Sequence, residues 1–162
     1  MQALERVVFV VASTLWYVLP AWIANATPVV FGGGKPLDMG LKVRGKRLFG
    51  DNKTIKGTLS GLIAGFLIGV AQLEPLRGAL LTVGAVPGDL LGSFTKRQLG
   101  LKPGDPAPLL DQLDFILGAL LFASVYAPPP KCVFITAILL TLVAHLLSNL
   151  GAYALGLKSK PW

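Results

Sequence analysis

Apolar positions in this chain come in long unbroken runs rather than in stripes. Residues 7–24, 57–73, 78–95, 112–127 and 132–157 are almost wholly apolar. A helix that crosses a bilayer needs roughly 20 such residues, within a range of about 17–25. The first, second and fifth runs contain no Asp, Glu, Lys or Arg, while the third holds Asp89 and the fourth Asp114. Helices of a soluble core would carry polar faces, and those three runs have none. The pattern predicts an all-α polytopic membrane protein, one integral membrane domain over 1–162. Its five transmembrane helices cover about 7–24, 57–73, 78–95, 112–127 and 132–157, and two polar loops cover about 31–56 and 96–111. Composition agrees: 53% of residues are hydrophobic and 14% charged, against about 25% charged in a typical soluble domain.

Charge placement orients these helices. Lys35, Lys42, Arg44, Lys46, Arg47, Lys53 and Lys56 fall in the first loop, Lys96, Arg97 and Lys102 in the second connection, and Lys158 and Lys160 in the tail. With five helices all three regions share one side, and only Arg6, Arg77 and Lys131 lie on the other. Cytoplasmic loops are enriched in Lys and Arg. The expectation is therefore a multi-pass cell-membrane protein with the N-terminus outside and the C-terminus and both loops cytoplasmic. A net charge of +7 would suggest nucleic acid in a soluble protein; sorted by side as it is here, it fits membrane topology, and no nucleic-acid partner is expected. Ala24-Asn25-Ala26 has the form of a signal-peptide cleavage site. However, Glu5 offsets Arg6 and the apolar run is long for a signal peptide, so the first helix is expected to stay. The single cysteine, Cys132, excludes an intrachain disulfide and a cysteine-based zinc cluster.

Gly57, Gly61, Gly65 and Gly69 repeat every four residues in the second helix, as do Gly84, Gly88 and Gly92 in the third. Such spacing puts small residues on one face, where backbones approach closely in lipid. It predicts tight packing of helix two on helix three.

The chemistry is expected in the two loops and the adjoining helix ends. Asp89 lies eight residues before Arg97, about 12 Å along a helix into the membrane, where ionisable groups face a partner or a cavity. Pro87 frees a carbonyl in the turn before it. Asp89, Ser93, Lys96 and Arg97 share a helical face. Asp111 and Asp114, at i and i+3, share another, and the hairpin of helices three and four brings all three carboxylates to one level. Oxygen ligands alone suit Mg²⁺. The other reading has Asp111 as a helix cap and Asp114 paired with a loop lysine. The stretches Gly32-Gly33-Gly34-Lys35 and Gly50-Asp51-Asn52-Lys53-Thr54 combine flexible backbone with lysine, which suits phosphate oxygens, although neither is a Walker A motif. His145 and Asn149, at i and i+4, have two readings, hydrogen bonds across helices or an approach to the substrate, and the first is preferred.

The runs LPAWIANATPVVFGGGKPLDMG (19–40), LFGDNKTIKGTLSG (48–61), GDLLGSFTKRQLGLKPG (88–104) and PLLDQLDFILGALL (108–121) resemble, in order and over nearly the whole chain, the CDP-archaeol synthase family. SFTKR and the later DQLD also resemble the signature of phosphatidate cytidylyltransferases, with Pro106-Ala107-Pro108-Leu109-Leu110 replacing the bacterial glycine- and histidine-containing stretch. The resemblance implies transfer of CMP from CTP to an isoprenoid ether-lipid phosphate in the bilayer, 2,3-di-O-geranylgeranylglycerol 1-phosphate, with release of pyrophosphate. It implies that Asp89, Asp111 and Asp114 hold Mg²⁺ and that Lys96 and Arg97, with Ser93 on the same face, hold the triphosphate. Lys53 and the amides of Gly50, Asp51, Asn52 and Thr54 would clamp phosphate or nucleotide; Asn25, Lys35 and Asp38 are further candidates. Rival readings are a CTP-dependent lipid-alcohol kinase, a small transporter, which would favour inverted repeats that are not found, and a CDP-alcohol phosphotransferase, whose aspartate signature is absent.

Overall fold

A computed structural model describes residues 2–103 and 105–154. The end of the fifth predicted helix, 155–157, and the tail lysines Lys158 and Lys160, on which the predicted C-terminal side partly rests, lie outside the described residues. Five helices form the bundle: α1 (Gln2–Phe31), α2 (Ile55–Ala71), α3 (Pro75–Gln98), α4 (Leu110–Tyr126) and α5 (Lys131–Ala154). The first loop also contains a hairpin that the apolar pattern did not announce, β1 (Lys42–Val43) antiparallel to β2 (Lys46–Arg47), with Val43 opposite Lys46. Arg44 and Gly45 turn it with φ of 51° and 79°, the left-handed pair that a two-residue hairpin loop uses.

The first helix runs to Phe31 rather than ending near Ala24. At 1.5 Å per residue its 30 residues span about 45 Å, more than a hydrocarbon core of about 30 Å, long enough to cross it with room for tilt. It continues through Pro20 and Pro28 because the carbonyls that a helical proline leaves without a donor meet α2. The Trp16 carbonyl accepts from Gln72 Nε2 at 2.6 Å. The Ala24 carbonyl oxygen lies against Gly61, where a Cβ would come within 2.5 Å of it.

Side chains are distributed as lipid solvent requires. Residues of the core are mostly small, such as Ala21, Ala24, Ala85, Ala119 and Ala137, with Val18, Leu81, Ile116 and Leu120 among them. Large apolar side chains face outward, Leu121 and Val125 on α4 being 67% and 84% exposed. The glycine stripes fix the contacts, but not as expected. Most of the α2 stripe faces α1: Gly57 meets Pro28, and Gly61 meets Ala24 and Pro28. Only its far end touches α3, through Gly65 against Thr82 and Gly69 against Gly78. The α3 stripe packs on α4 instead. Gly84 and Gly118 each face the other's carbonyl, Gly88 faces the Asp114 backbone, and Gly92 faces the Asp114 carboxylate. The predicted helix-two to helix-three seam is thus short, because Gly78 and Thr82, not the Gly84–Gly92 stripe, meet α2.

These seams leave no room for a side chain. Gly84→Val would drive two methyls into the Gly118 carbonyl and should cost on the order of 1–3 kcal/mol or more. The unfolding midpoint in detergent should fall accordingly, while Gly151→Ala, where an added Cβ meets nothing within 4 Å, should stay close to the parent.

Candidate active site

The polar residues assemble where the loop ends of α1, α2, α3 and α4 meet. Loop 32–54 is ordered around one buried carboxylate. Asp38, with its side chain fully enclosed, pairs with Arg47 at 2.6 Å and accepts the backbone N–H groups of Gly40, Phe49 and Gly50 at 3.0–3.1 Å. Arg47 reaches on to Asp51 at 2.8 Å. The Arg47 guanidinium foremost, then those N–H donors, hold the Asp38 carboxyl well below the usual carboxylate range against the opposing effect of burial; Asp38 in turn raises Arg47. Asp38, a substrate candidate in the sequence, is enclosed by the loop it organises. Lys35 is exposed and does not line the cavities described below; its carbonyl accepts the Ile55 N–H at 3.1 Å. Thr54 is the N-cap of α2. Its hydroxyl oxygen takes the Gly57 N–H at 3.1 Å and the Gly33 N–H at 3.2 Å, tying the glycine turn to the helix start, as caps do.

The same loop delivers Lys53 to α3. Lys53 Nζ stands 2.5 Å from Asp89 Oδ2, and both side chains are a little over a quarter accessible. Two turns further along α3, Lys96 Nζ stands 2.5 Å from Asp111 Oδ1. The other Asp111 oxygen accepts the Ala107 N–H at 2.9 Å, closing the turn in which Leu109 takes a φ of 65°. Asp111 therefore steadies the start of α4 and also pairs with a lysine. Asp114 is placed by Gly92, whose missing side chain leaves space for its carboxylate. It accepts the Phe115 N–H at 2.6 Å and lies within electrostatic range of Asp89, Lys53 and Asp111. Arg97 is nearly buried at 8% exposure, with one N–H on the Lys102 carbonyl at 3.1 Å.

Two cavities share this ground. One, of about 520 Å³, has apolar walls from α1 and α3, including Ala24, Pro28, Val29, Ala85, Val86 and Leu90, and takes in Asp51 and Thr54. The other, of about 300 Å³, is polar and carries Ser93, Lys96, Arg97 and Asp111. Asn25, Val29, Asn52, Lys53 and Asp89 line both, so they meet at the Lys53–Asp89 pair. Asp114 and Gly50 line neither, and the Gly50 N–H is held by Asp38. For His145 and Asn149 sequence reasoning preferred cross-helix hydrogen bonds to an approach to substrate. They line the polar cavity, with Asn149 Nδ2 3.1 Å from His145 Nδ1. Their four-residue spacing was visible, but the position of α5 beside α1 was not. Among the described residues no three Asp, Glu, His or Cys side chains stand close enough to form a metal cage. The three predicted ligands therefore do not gather into one group; Mg²⁺ commonly binds through one or two carboxylates plus substrate phosphate, and of the three only Asp89 and Asp111 line the cavities, each held by a lysine.

A chamber with apolar walls thus opens, inside a lipid-facing helix bundle, into a polar one where Lys53, Lys96 and Arg97 stand among Asp89, Asp105 and Asp111. The bundle superposes on a solved intramembrane enzyme for archaeal membrane lipid biosynthesis with a TM-score of 0.78 and 44% identity, covering 86% of this chain and 94% of that one. The CarS-like family, described as CDP-archaeol synthase, matches residues 7–77 and 75–162. CDP-archaeol synthases of Methanopyrus kandleri and Aeropyrum pernix are 47% and 49% identical to it, the first over 91% of both chains and the second over 89% of this chain and 88% of its own. That of Thermofilum pendens is 45% identical over 94% of this chain and 81% of its own. The chain belongs to the CDP-archaeol synthase family.

The carboxylate at the centre of the loop has a pH signature. Because the folded state depresses the Asp38 pKa, its stabilisation is complete above the ordinary value of about 3.9 and is lost as pH falls below that towards the folded value. Amide exchange at Phe49 and Gly50 should lose protection in that acid window. Asp38→Asn, which removes a charged acceptor worth about 1.5–3 kcal/mol per bond, should lower protection by about tenfold or more at neutral pH and flatten the acid transition.

Proposed function

We propose that this protein transfers CMP from CTP to the phosphate of 2,3-di-O-geranylgeranylglycerol 1-phosphate, giving CDP-archaeol and pyrophosphate, at a site facing the cytoplasm. The observation that carries the reading is the junction of the two cavities at Lys53 and Asp89. A lipid phosphate is apolar on one side and doubly charged on the other. The wall of Ala24, Pro28, Val29, Ala85 and Val86 suits its glycerol end and first isoprenoid carbons, and Lys53, Lys96 and Arg97 of the polar chamber suit a triphosphate.

In this scheme a lipid phosphate oxygen attacks the α-phosphorus of CTP from the apolar side. A P–O bond forms to the lipid, the bond to the β-phosphate bridging oxygen breaks, and pyrophosphate leaves toward Lys96 and Arg97. Phosphoryl chemistry of this kind asks for alignment and charge neutralisation rather than covalent help. Lys53, at the junction, neutralises both incoming phosphates as they meet. Lys96 and Arg97 take the charge that builds on the leaving group, and Ser93 and Asn52 offer hydrogen bonds to phosphate oxygens. Asn25 holds the mouth of the shared wall. Asp89 would hold Mg²⁺ together with substrate phosphate, with Asp114 and Asp111 as the neighbouring carboxylates. Bound there, the ion would supply positive charge that orients the triphosphate and offsets the charge of the transition state. In the resting protein Lys53 and Lys96 occupy Asp89 and Asp111, which holds each ammonium on the cavity wall.

Orientation follows from the distribution of Lys and Arg. Cysteines at Lys46 and Lys102 should react with impermeant reagents only from the cytoplasmic side; labelling from outside intact cells would reverse the topology. For the reaction, purified protein with Mg²⁺ should label the unsaturated ether-lipid phosphate from α-labelled CTP and release pyrophosphate. Transfer of the γ-phosphate to a lipid alcohol would make the protein a kinase instead.

A further inference from the structure

Behind the nucleotide chamber lies a third cavity, of about 380 Å³, on the loop side of Arg97. Its charged lining is Lys46, Arg47, Arg97 and Lys102 against the one acid Asp51. Asp51 is already taken by Arg47, which also holds Asp38. Among the described residues no carboxylate forms an ion pair with Lys46, Arg97 or Lys102. Arg97 is 92% buried, taking its 8% exposure from the whole, and its Nε is enclosed without a hydrogen-bond partner. A buried charge left in this condition is costly unless an anion completes it. Two glycines border the space. A Cβ at Gly50 would lie 3.4 Å from the Arg97 guanidinium, and one at Gly100 would lie 3.8 Å from Lys46 Nζ. Both glycines have positive φ, 89° and 82°, which a side chain would strain.

Arg97 and Pro103 line this cavity and the polar chamber alike, so one guanidinium forms the wall between them. We propose that this cavity is a receiving site for the pyrophosphate leaving group, which rests on the cytidylyl-transfer reading above. The chemistry it selects is a compact di-anionic or tri-anionic phosphate: Lys46, Arg47, Arg97 and Lys102 line the space against the single acid Asp51, which Arg47 already holds. Arg97 hands the departing phosphates from Lys96 to Lys46 and Lys102. That separates pyrophosphate from the α-phosphorus before the reverse attack can occur and directs it to the loop surface.

The test measures binding of labelled pyrophosphate to purified protein with Mg²⁺, in neutral detergent, while a saturating α,β-methylene analogue of CTP fills the nucleotide chamber. One pyrophosphate should still bind. Lys46→Gln and Lys102→Gln should each weaken it by about tenfold, as expected for loss of one charge-assisted contact, and Lys102→Arg should restore it. Complete displacement of pyrophosphate by the analogue would overturn the proposal, as would binding that neither lysine variant changes. Repeating the measurement in nanodiscs with and without anionic phospholipid separates the other source of the same chemistry. Pyrophosphate retained in both supports the proposal, and pyrophosphate displaced by the anionic lipid assigns the cavity to a headgroup and overturns it. Failure of the analogue itself to bind would instead count against the cytidylyl-transfer reading.

Discussion

In a bilayer an apolar side chain gains little by leaving lipid for protein, so helices hold together through contacts close enough for backbone atoms to touch. The whole arrangement here depends on such contacts along α3. At one end Gly78 lies on Gly69 of α2; along its length Gly84, Gly88 and Gly92 lie on Gly118, Asp114 and Phe115 of α4. Held from two sides, α3 becomes the fixed rail on which Asp89, Ser93, Lys96 and Arg97 are mounted. The seam also sets chemistry directly, since Gly92 leaves the space that the Asp114 carboxylate fills.

The loop depends on a different constraint, the need to satisfy a buried charge. Asp38 gathers Arg47 and three backbone N–H groups, and Gly50 is thereby fixed three residues before Lys53. From there Lys53 reaches Asp89. An ion pair wholly enclosed in protein rarely repays its desolvation. This one lines two cavities and keeps some solvent access, so Lys53 can exchange Asp89 for a phosphate at modest cost. Loop and rail thus meet at a single contact, and the apolar and polar chambers meet there too.

Much of this was legible in the chain. Apolar runs near membrane length, three of them free of charge, identified five helices, and the depth of Asp89 marked it as facing a partner or cavity. Lys96 and Asp111 were both singled out, although their pairing is a property of the hairpin register. Other features depend on tertiary contacts that no local pattern carries. The first helix passes Ala24 because α2 accommodates the carbonyls that Pro20 and Pro28 leave bare. Asp38 resembles any loop carboxylate until the loop closes on it. The α3 glycines looked like a surface for α2, since both helices have four-residue stripes, yet spacing does not say which neighbour a stripe meets. His145 and Asn149 sit on an apolar helix, and only the packing of α5 beside α1 brings them to the polar chamber.

The central claim is that cytidylyl transfer takes place at the Lys53–Asp89 junction. The most direct measurement is the rate of CDP-lipid formation, with its Mg²⁺ dependence, by purified Asp89→Asn protein, alongside its unfolding midpoint. The amide fills the same space and is cheaper to hold in the membrane than a carboxylate. The account predicts a midpoint near that of the parent and a rate lower by about 100-fold or more, the scale of losing a principal electrostatic group. Turnover at the parental rate with an unchanged Mg²⁺ requirement would contradict it.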